Sequence, residues 1–310
     1  RYGRHGRYGR HDVIIPFCFS VVIAYSMAAF GSPWFFCHQS SGFELFPDIE
    51  EVAELIREVA ETEIVPRFQS LAEDDTWEKR PGSVVTVADQ AAEHALTIGL
   101  EKILPGSTVV GEEAVADNPD LLHRINGEAP VWIVDPVDGT RNFAAGKSDF
   151  AVIIAFVLDG ETRAGWIYRP IEKTLATAVS GDGAWVDGIP VRVAGTAPLA
   201  HMTGSLGARL RRNTEFSGRF KAVTNTKCCG VDYLAIITGN IHFAYYRNLM
   251  PWDHAAGQLM HREAGGYSAC LDGGDYRPGR QSEGGMLLAP NSNDWDIISA
   301  DIPAALAASS

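Results

Sequence analysis

The chain has 310 residues, enough for one large domain or two of ordinary size. Its 46% hydrophobic content supports a substantial core, and a net charge of −13 with no long basic stripe in the body argues against a nucleic-acid binder. Five cysteines (Cys18, Cys37, Cys228, Cys229 and Cys270), odd in number and without CxxC spacing, argue against a disulfide framework or a zinc site. Cys228 and Cys229 read as small buried groups in a reducing compartment.

Residues 1–43 differ from the rest: a basic start (Arg1 to His11), then a run from Val13 to Cys37 without formal charge. Such an order resembles a secretory signal or an anchor, but Pro16, Gly31 and Pro33 interrupt the apolar run. The preferred expectation is an extension outside the fold, with residues 44–310 forming one acidic cytoplasmic domain that needs no membrane. Export or anchoring remains the alternative if residues 1–37 are a targeting segment.

From Pro47 to Ala72, apolar residues at Ile49, Val52, Leu55, Ile56 and Val59 follow helical spacing, and Pro66 kinks or ends that helix. Thr86 to Leu104 reads as a second helix stopped by Pro105-Gly106. Short β-rich runs follow at 109–110, 131–134, 150–158, 163–168 and 175–179, split by turns such as Asp159-Gly160. The imperfect alternation at 151–157 suits a strand buried on both faces. Helices at 231–238 and 252–263 and strands at 242–246 and 285–289 close the chain. The pattern is α+β or α/β with layered sheets and helices.

The chemistry concentrates in Asp135-Pro136-Val137-Asp138-Gly139-Thr140, directly after the apolar run at 131–134. Two carboxylates three residues apart, followed by a Gly-Thr step into a helix, can hold a divalent metal and aim amides at a phosphate. Alone, the same residues could be a turn with capping aspartates. Gly111-Glu112-Glu113 lies upstream, and Trp252-Asp253-His254-Ala255-Ala256-Gly257 lies downstream at a helix start. In order and spacing the set resembles the inositol monophosphatase family, whose motifs are GEE, DP(I/V)DGT and WDxAAG. Thr86-Val87-Ala88-Asp89-Gln90 and Glu263-Ala264-Gly265-Gly266 extend the likeness, which spans roughly residues 47 to 290.

The resemblance implies a five-layered αβαβα sandwich of the inositol monophosphatase/fructose-1,6-bisphosphatase type. It also implies two or three Mg²⁺ ions, replaceable by Mn²⁺, and a small phosphorylated metabolite as substrate. Asp135 would bridge two metals, with Asp138 and Asp253 completing one shell and Glu112 and the Val137 carbonyl the other. Asp89 and Thr140 would work on the attacking water together with Glu112, while the Gly139 and Thr140 amides would hold the phosphate. A homodimer is expected on the same ground.

Substrate choice is expected around Gly230, Asp232 and Arg247. Arg247 stands where many relatives carry a Glu that binds ring hydroxyls, which makes inositol 1-phosphate doubtful. Arg247 could pair with an acidic group of the substrate or internally with Asp232, and Asp232 could contact substrate itself. Histidinol phosphate, fructose 1,6-bisphosphate, inositol phosphates and a 3′-phosphonucleotide are the candidates. His254 and His261, seven apart on one helix, read as packing or surface residues, and Trp252 as a core anchor for Asp253. The alternative outside hydrolysis is a regulatory or binding protein of the same fold with little turnover. A metal-independent glycosidase built on a carboxylate pair is a weaker enzyme alternative.

Overall fold

The computed structural model describes residues 46–80 and 82–308. The expected extension at 1–43, with Cys18 and Cys37, lies outside the described residues. Asp48 caps α1 (Ile49–Val59), its Oδ1 accepting from the amides of Glu50 and Glu51 at 2.8 and 3.1 Å. A π turn (Ala60–Ile64) and a 3₁₀ turn (Val65–Arg67) follow. Pro66 has no amide hydrogen for the helical ladder, and Phe68 is already extended, so the helix ends before Ala72.

A hairpin comes next, β1 (Thr76–Arg80) and β2 (Ser83–Thr86). It has no counterpart in the sequence reading, because Glu78, Lys79 and Arg80 in a row hide the alternation that marks a strand. Thr86 then caps α2 (Val87–Ile103), and the Asp89 side chain accepts from the Thr86 amide in return.

The main sheet has seven strands in the order β3 (Thr108–Gly111), β4 (Val131–Asp138), β5 (Ala151–Leu158), β6 (Glu161–Arg169), β7 (Thr174–Val179), β8 (Gly183–Val186) and β9 (Ile189–Pro190). Only β3 and β4 run parallel, joined through α3 (Glu112–Asp117) and a 3₁₀ stretch (Pro119–Asn126). α4 (Thr140–Ala144) follows β4. A second sheet of five strands has the order β11 (Ala222–Thr224), β10 (Thr203–Leu206), β12 (Phe243–Tyr246), β14 (Met286–Ala289), β13 (Tyr267–Cys270). Its helices are α5 (Ala208–Arg212), α6 (Thr214–Ser217), α7 (Cys229–Ile237), α8 (Pro251–Glu263), α9 (Ser292–Ser299) and α10 (Ile302–Ala308).

The period-two alternation of β5 defines the layers. Val152, Ile154 and Phe156 pack with α1 and α2 through Val52, Ile56, Ala92 and Leu96. Ile153, Ala155 and Val157 face the opposite cluster, formed with Tyr233 and Ile237 of α7 and Ala255 and Leu259 of α8. That cluster continues to Ala244, Met286 and Leu288 on the second sheet. The other face of that sheet, Phe243, Tyr245 and Leu287, packs on Leu210, Phe216, Ile298 and Ile302. Helices, sheet, helices, sheet, helices make five layers, and α7 and α8 form the central one.

Candidate metal centre

The two motif aspartates belong to β4, which runs on through Pro136 to Asp138 instead of stopping at Val134. In a regular strand, residues three apart point to opposite faces. Here the ladder pairs Asp135 with Ile153 and Asp138 with Ala151, so β4 carries one residue more than β5 in this stretch. The bulge restores the parity and turns both carboxylates to one side. Pro136 fits there, since an interrupted ladder needs no donor from it.

The N-terminus of α8 brings Asp253 to the same place. Carboxylate oxygens of Asp135, Asp138 and Asp253 lie within 4.8 Å of one another. A cavity of about 190 Å³ opens over them, also lined by Glu112, Val137, Gly139 and Thr140. Every metal and phosphate residue expected from the motifs is therefore in one place.

Four acidic side chains crowded together are costly without a cation. Burial, then Glu112, Asp138 and Asp253, push Asp135 well above the usual carboxylate range. Asp253 is pushed well up by burial and by Asp138 and Glu112, and it lies close enough to Asp135 to share a proton. Asp138 rises only to about 6, because burial is opposed by three donors. They are the Cys228 thiol at 3.0 Å, the Gly230 amide at 2.6 Å and the Cys229 amide. The last two open α7, so a helix N-terminus faces this carboxylate. The donor set, carboxylates plus the Val137 carbonyl, is all hard oxygen and fits Mg²⁺ or Mn²⁺.

Asp89 and Thr140 also meet. Thr140 Oγ1 is 3.1 Å from Asp89 Oδ1 and 3.0 Å from the Val137 carbonyl, and its one hydrogen serves one acceptor at a time. Asp89 Oδ2 accepts from the Thr86 amide and hydroxyl at 2.9 and 2.6 Å. Burial raises Asp89 to about 6 despite these bonds. Gly139 takes φ +86°, and a Cβ there would stand 2.8 Å from the Asp149 carbonyl, so both conformation and space require glycine.

Gly230 and Asp232, expected at the substrate, hold packing and hydrogen-bonding places beside Asp138 and β10. Gly230 lets α7 approach closely: a Cβ would meet Ala151 Cβ at 2.8 Å and Asp138 Oδ2 at 3.3 Å. Gly230→Ala is expected to cost about 1–3 kcal/mol by overpacking and to weaken Mg²⁺ binding by displacing the α7 amides from Asp138. Denaturant unfolding and a Mg²⁺ titration read the two effects, and an unchanged Mg²⁺ affinity would refute the second. Asp232 is buried, with Oδ2 accepting from Ser205 at 2.5 Å and Oδ1 from Thr226 at 2.8 Å. It ties α7 to β10 and to the loop between β11 and α7. Among the described residues no ion pair joins it to Arg247, which is exposed and absent from the lining of the 190 Å³ cavity. His254 and His261 are buried in α8, which pushes them down to about 4 and 3, and Trp252 is a buried anchor as expected.

Four residues were not legible in advance. Both Glu93 oxygens accept from the Glu113 and Ala114 amides at 2.8 Å, capping α3 and so fixing Glu112. The available signal was an acid one turn after Asp89 on the apolar face of α2. Lys79 of β1 reaches Glu112 at 2.9 Å and Glu113 at 2.8 Å. Burial works against its charge, but the two glutamates outweigh it and raise its pKa. Arg141 and Lys227 line the cavity beside the carboxylates. Lys227 adopts φ +62°, a left-handed conformation unusual for a side chain of that kind.

The inositol monophosphatase family model matches residues 47–302. A fructose-1,6-bisphosphatase/inositol-1-monophosphatase of Thermotoga maritima is 30% identical over 202 residues, covering 62% of this chain and 74% of the relative. A Nus factor SuhB of Pasteurella multocida is 31% identical over 206 residues, covering 63% and 75%. Among solved structures, a Thermotoga maritima IMPase superposes with a TM-score of 0.72 at 23% identity, covering 83% of this chain and 97% of that one. At that identity the likeness speaks for the fold.

Proposed function

Because this chain belongs to the inositol monophosphatase family and is a hydrolase of phosphate monoesters, we propose that it cleaves a small phosphorylated metabolite in a Mg²⁺-dependent reaction. The observation that carries this reading is the convergence of Asp135, Asp138 and Asp253 in one cavity beside Asp89 and Thr140. Glu112, Asp135, Asp138, Asp253 and the Val137 carbonyl would hold the ions. Bound Mg²⁺ supplies positive charge against the phosphate and leaving-group oxygens and makes water a stronger nucleophile.

The rest falls to the chain's own groups. The Thr140 hydroxyl accepts a hydrogen bond from the attacking water and passes its own hydrogen to Asp89 Oδ1. Asp89, held by Thr86, takes up the proton; a pKa of about 6 suits an acceptor working near neutrality. The turn at Gly139 and Thr140 presents amides to the phosphate at the start of α4. Gly230 and Cys228 keep Asp138 charged and aimed.

Lys227 and Arg141 support a substrate with a second anionic group, one of the two roles weighed for Arg247. Lys227→Ala is expected to lower kcat/KM for fructose 1,6-bisphosphate about tenfold more than for inositol 1-phosphate, the loss of one charge contact of about 1.4 kcal/mol. Lys227→Gly should show the same selectivity change and gain about 1 kcal/mol of stability by relieving the left-handed backbone. Equal losses on both substrates would reject the assignment.

The function itself is tested by phosphate release from inositol 1-phosphate, fructose 1,6-bisphosphate, histidinol phosphate and 3′-phosphoadenosine 5′-phosphate, with Mg²⁺ and with EDTA. Mg²⁺-dependent release that EDTA abolishes is expected. Release that survives EDTA would overturn the metal-dependent reading. Relatives named as Nus factors favour a second reading, a regulatory protein with little turnover. Absence of turnover in a folded chain that binds Mg²⁺ would select it, although the complete ligand set speaks for hydrolysis.

A further inference from the structure

Cys229 begins α7, Asp253 and His254 lie in the first turn of α8, and the two helices pack together in the central layer. The Cys229 sulfur, an Asp253 carboxylate oxygen and a His254 ring nitrogen all lie within 4.8 Å of one another. We propose that Cys229, Asp253 and His254 form a site for a thiophilic divalent cation of the Zn²⁺ type, next to the all-oxygen cluster and sharing Asp253 with it. Cysteine spacing argued against zinc only because it registers ligands close in sequence, whereas these converge from two helices.

The chemistry of the three donors separates this site from its neighbour. Sulfur and imidazole favour Zn²⁺, Co²⁺ and similar ions, whereas Mg²⁺ keeps to oxygen. On a tetrahedral Zn²⁺, ligand atoms stand about 3.3–3.8 Å apart, given bonds of about 2.0–2.3 Å. The present spacing of up to 4.8 Å exceeds that range, so coordination would require the three side chains to turn toward one another. His254 is already oriented as a ligand. Its Nε2 is 2.9 Å from the Asn248 backbone carbonyl, which can only accept, so Nε2 carries the hydrogen and Nδ1 keeps its lone pair. Metal-binding histidines typically donate their other ring N–H to a carbonyl or carboxylate in this way. Nδ1 now accepts from the Tyr233 hydroxyl at 3.1 Å, and coordination exchanges that bond for one to the cation.

Binding breaks the Cys229 S–H bond. Sulfur keeps the electron pair and donates it to the cation, and the proton leaves to solvent. Because Asp253 serves both sites, occupancy withdraws a carboxylate from the oxygen cluster. Zn²⁺ therefore inhibits hydrolysis, and excess Mg²⁺ relieves the inhibition.

The test uses the full chain, reduced and stripped with EDTA, and needs no substrate, so its outcome is independent of the phosphatase reading. Co²⁺ is titrated in, and the near-ultraviolet charge-transfer absorption of a cobalt–thiolate bond is recorded. The expected result is a saturable band that Zn²⁺ displaces and that Cys229→Ser and Cys229→Ala both lack while circular dichroism stays native. No band in the parent chain, or a band that persists in a folded Cys229 variant, would overturn the proposal. The second outcome would place the thiolate at another cysteine.

Discussion

Replacing Asp135 by Asn is expected to lower kcat by about 10³-fold or more, to leave the protein folded, and to make the metal-free form more heat-stable. The reasons come from one geometry. Asp135 lies among Glu112, Asp138, Asp253 and Asp89, all of which push its proton affinity up, with burial the largest cause. Removing its charge removes much of the ligand set, and a loss of several kcal/mol in stabilising the reacting oxygens corresponds to roughly three decades in rate. The same removal relieves repulsion that, without a cation, only a proton shared with Asp253 offsets. Asn keeps the shape and can still accept the Val137 amide bond, which Asp135 Oδ1 makes at 3.1 Å. Steady-state kinetics and thermal unfolding in EDTA measure the two effects. Near-parental turnover would dismiss Asp135 as a ligand, and a lower melting temperature in EDTA would contradict the repulsion argument.

Saturating Mg²⁺ is expected to raise the melting temperature, with a rise that grows with pH. Ligand at about 100 times its Kd stabilises by roughly 2.7 kcal/mol, equal to about 5–10 °C for a domain of this size. The pH term follows from carboxylates whose folded pKa lies above the unfolded one. Burial lifts Asp89 and Asp138 from 3.8 to about 6 and Glu113 from 4.5 to about 7. The folded state then holds more protons than the unfolded chain between those values. Their contribution is complete below about pH 4 and is lost as pH rises through about 6 to 7. Metal-free protein should therefore lose stability from pH 5 to pH 8, and Mg²⁺ should cancel much of that loss by replacing the shared protons. Melting curves across this range, with EDTA and with Mg²⁺, test it. A Mg²⁺ shift that stays constant with pH would refute the coupling.

Glu112, Asp253 and Asp89 came from the family resemblance, whereas the part of the site legible from the residues themselves was the part built within one segment. Asp135, Pro136, Val137, Asp138, Gly139 and Thr140 are neighbours, and one bulge and one left-handed turn suffice to orient them. The Thr86–Asp89 cap of α2 was visible as a helix start, and β5 as a strand buried on both faces, since caps and alternation are local signals. The short strands β8 to β11 and β13, with α5, α6, α9 and α10, were not, because runs of a few residues carry too little periodicity.

Convergence was the property that no local signal reports. Lys79 reaches Glu112 only because an unforeseen hairpin carries it to the start of α3. Gly230 and Cys228 serve Asp138 because α7 ends its approach against β4 and β5. Asp232 binds Ser205 and Thr226, and the basic side chains that line the cavity are those of Lys227 and Arg141, not that of Arg247. The sequence by itself determined the types of the candidate metal-holding residues, their order and the layered α/β class, since these follow from residue chemistry and short-range period. Which side chains surround those ligands was decided by the packing of α7 and α8 between two sheets. Burial energy chooses that arrangement from contacts far apart in the chain, and spacing along the sequence does not encode it.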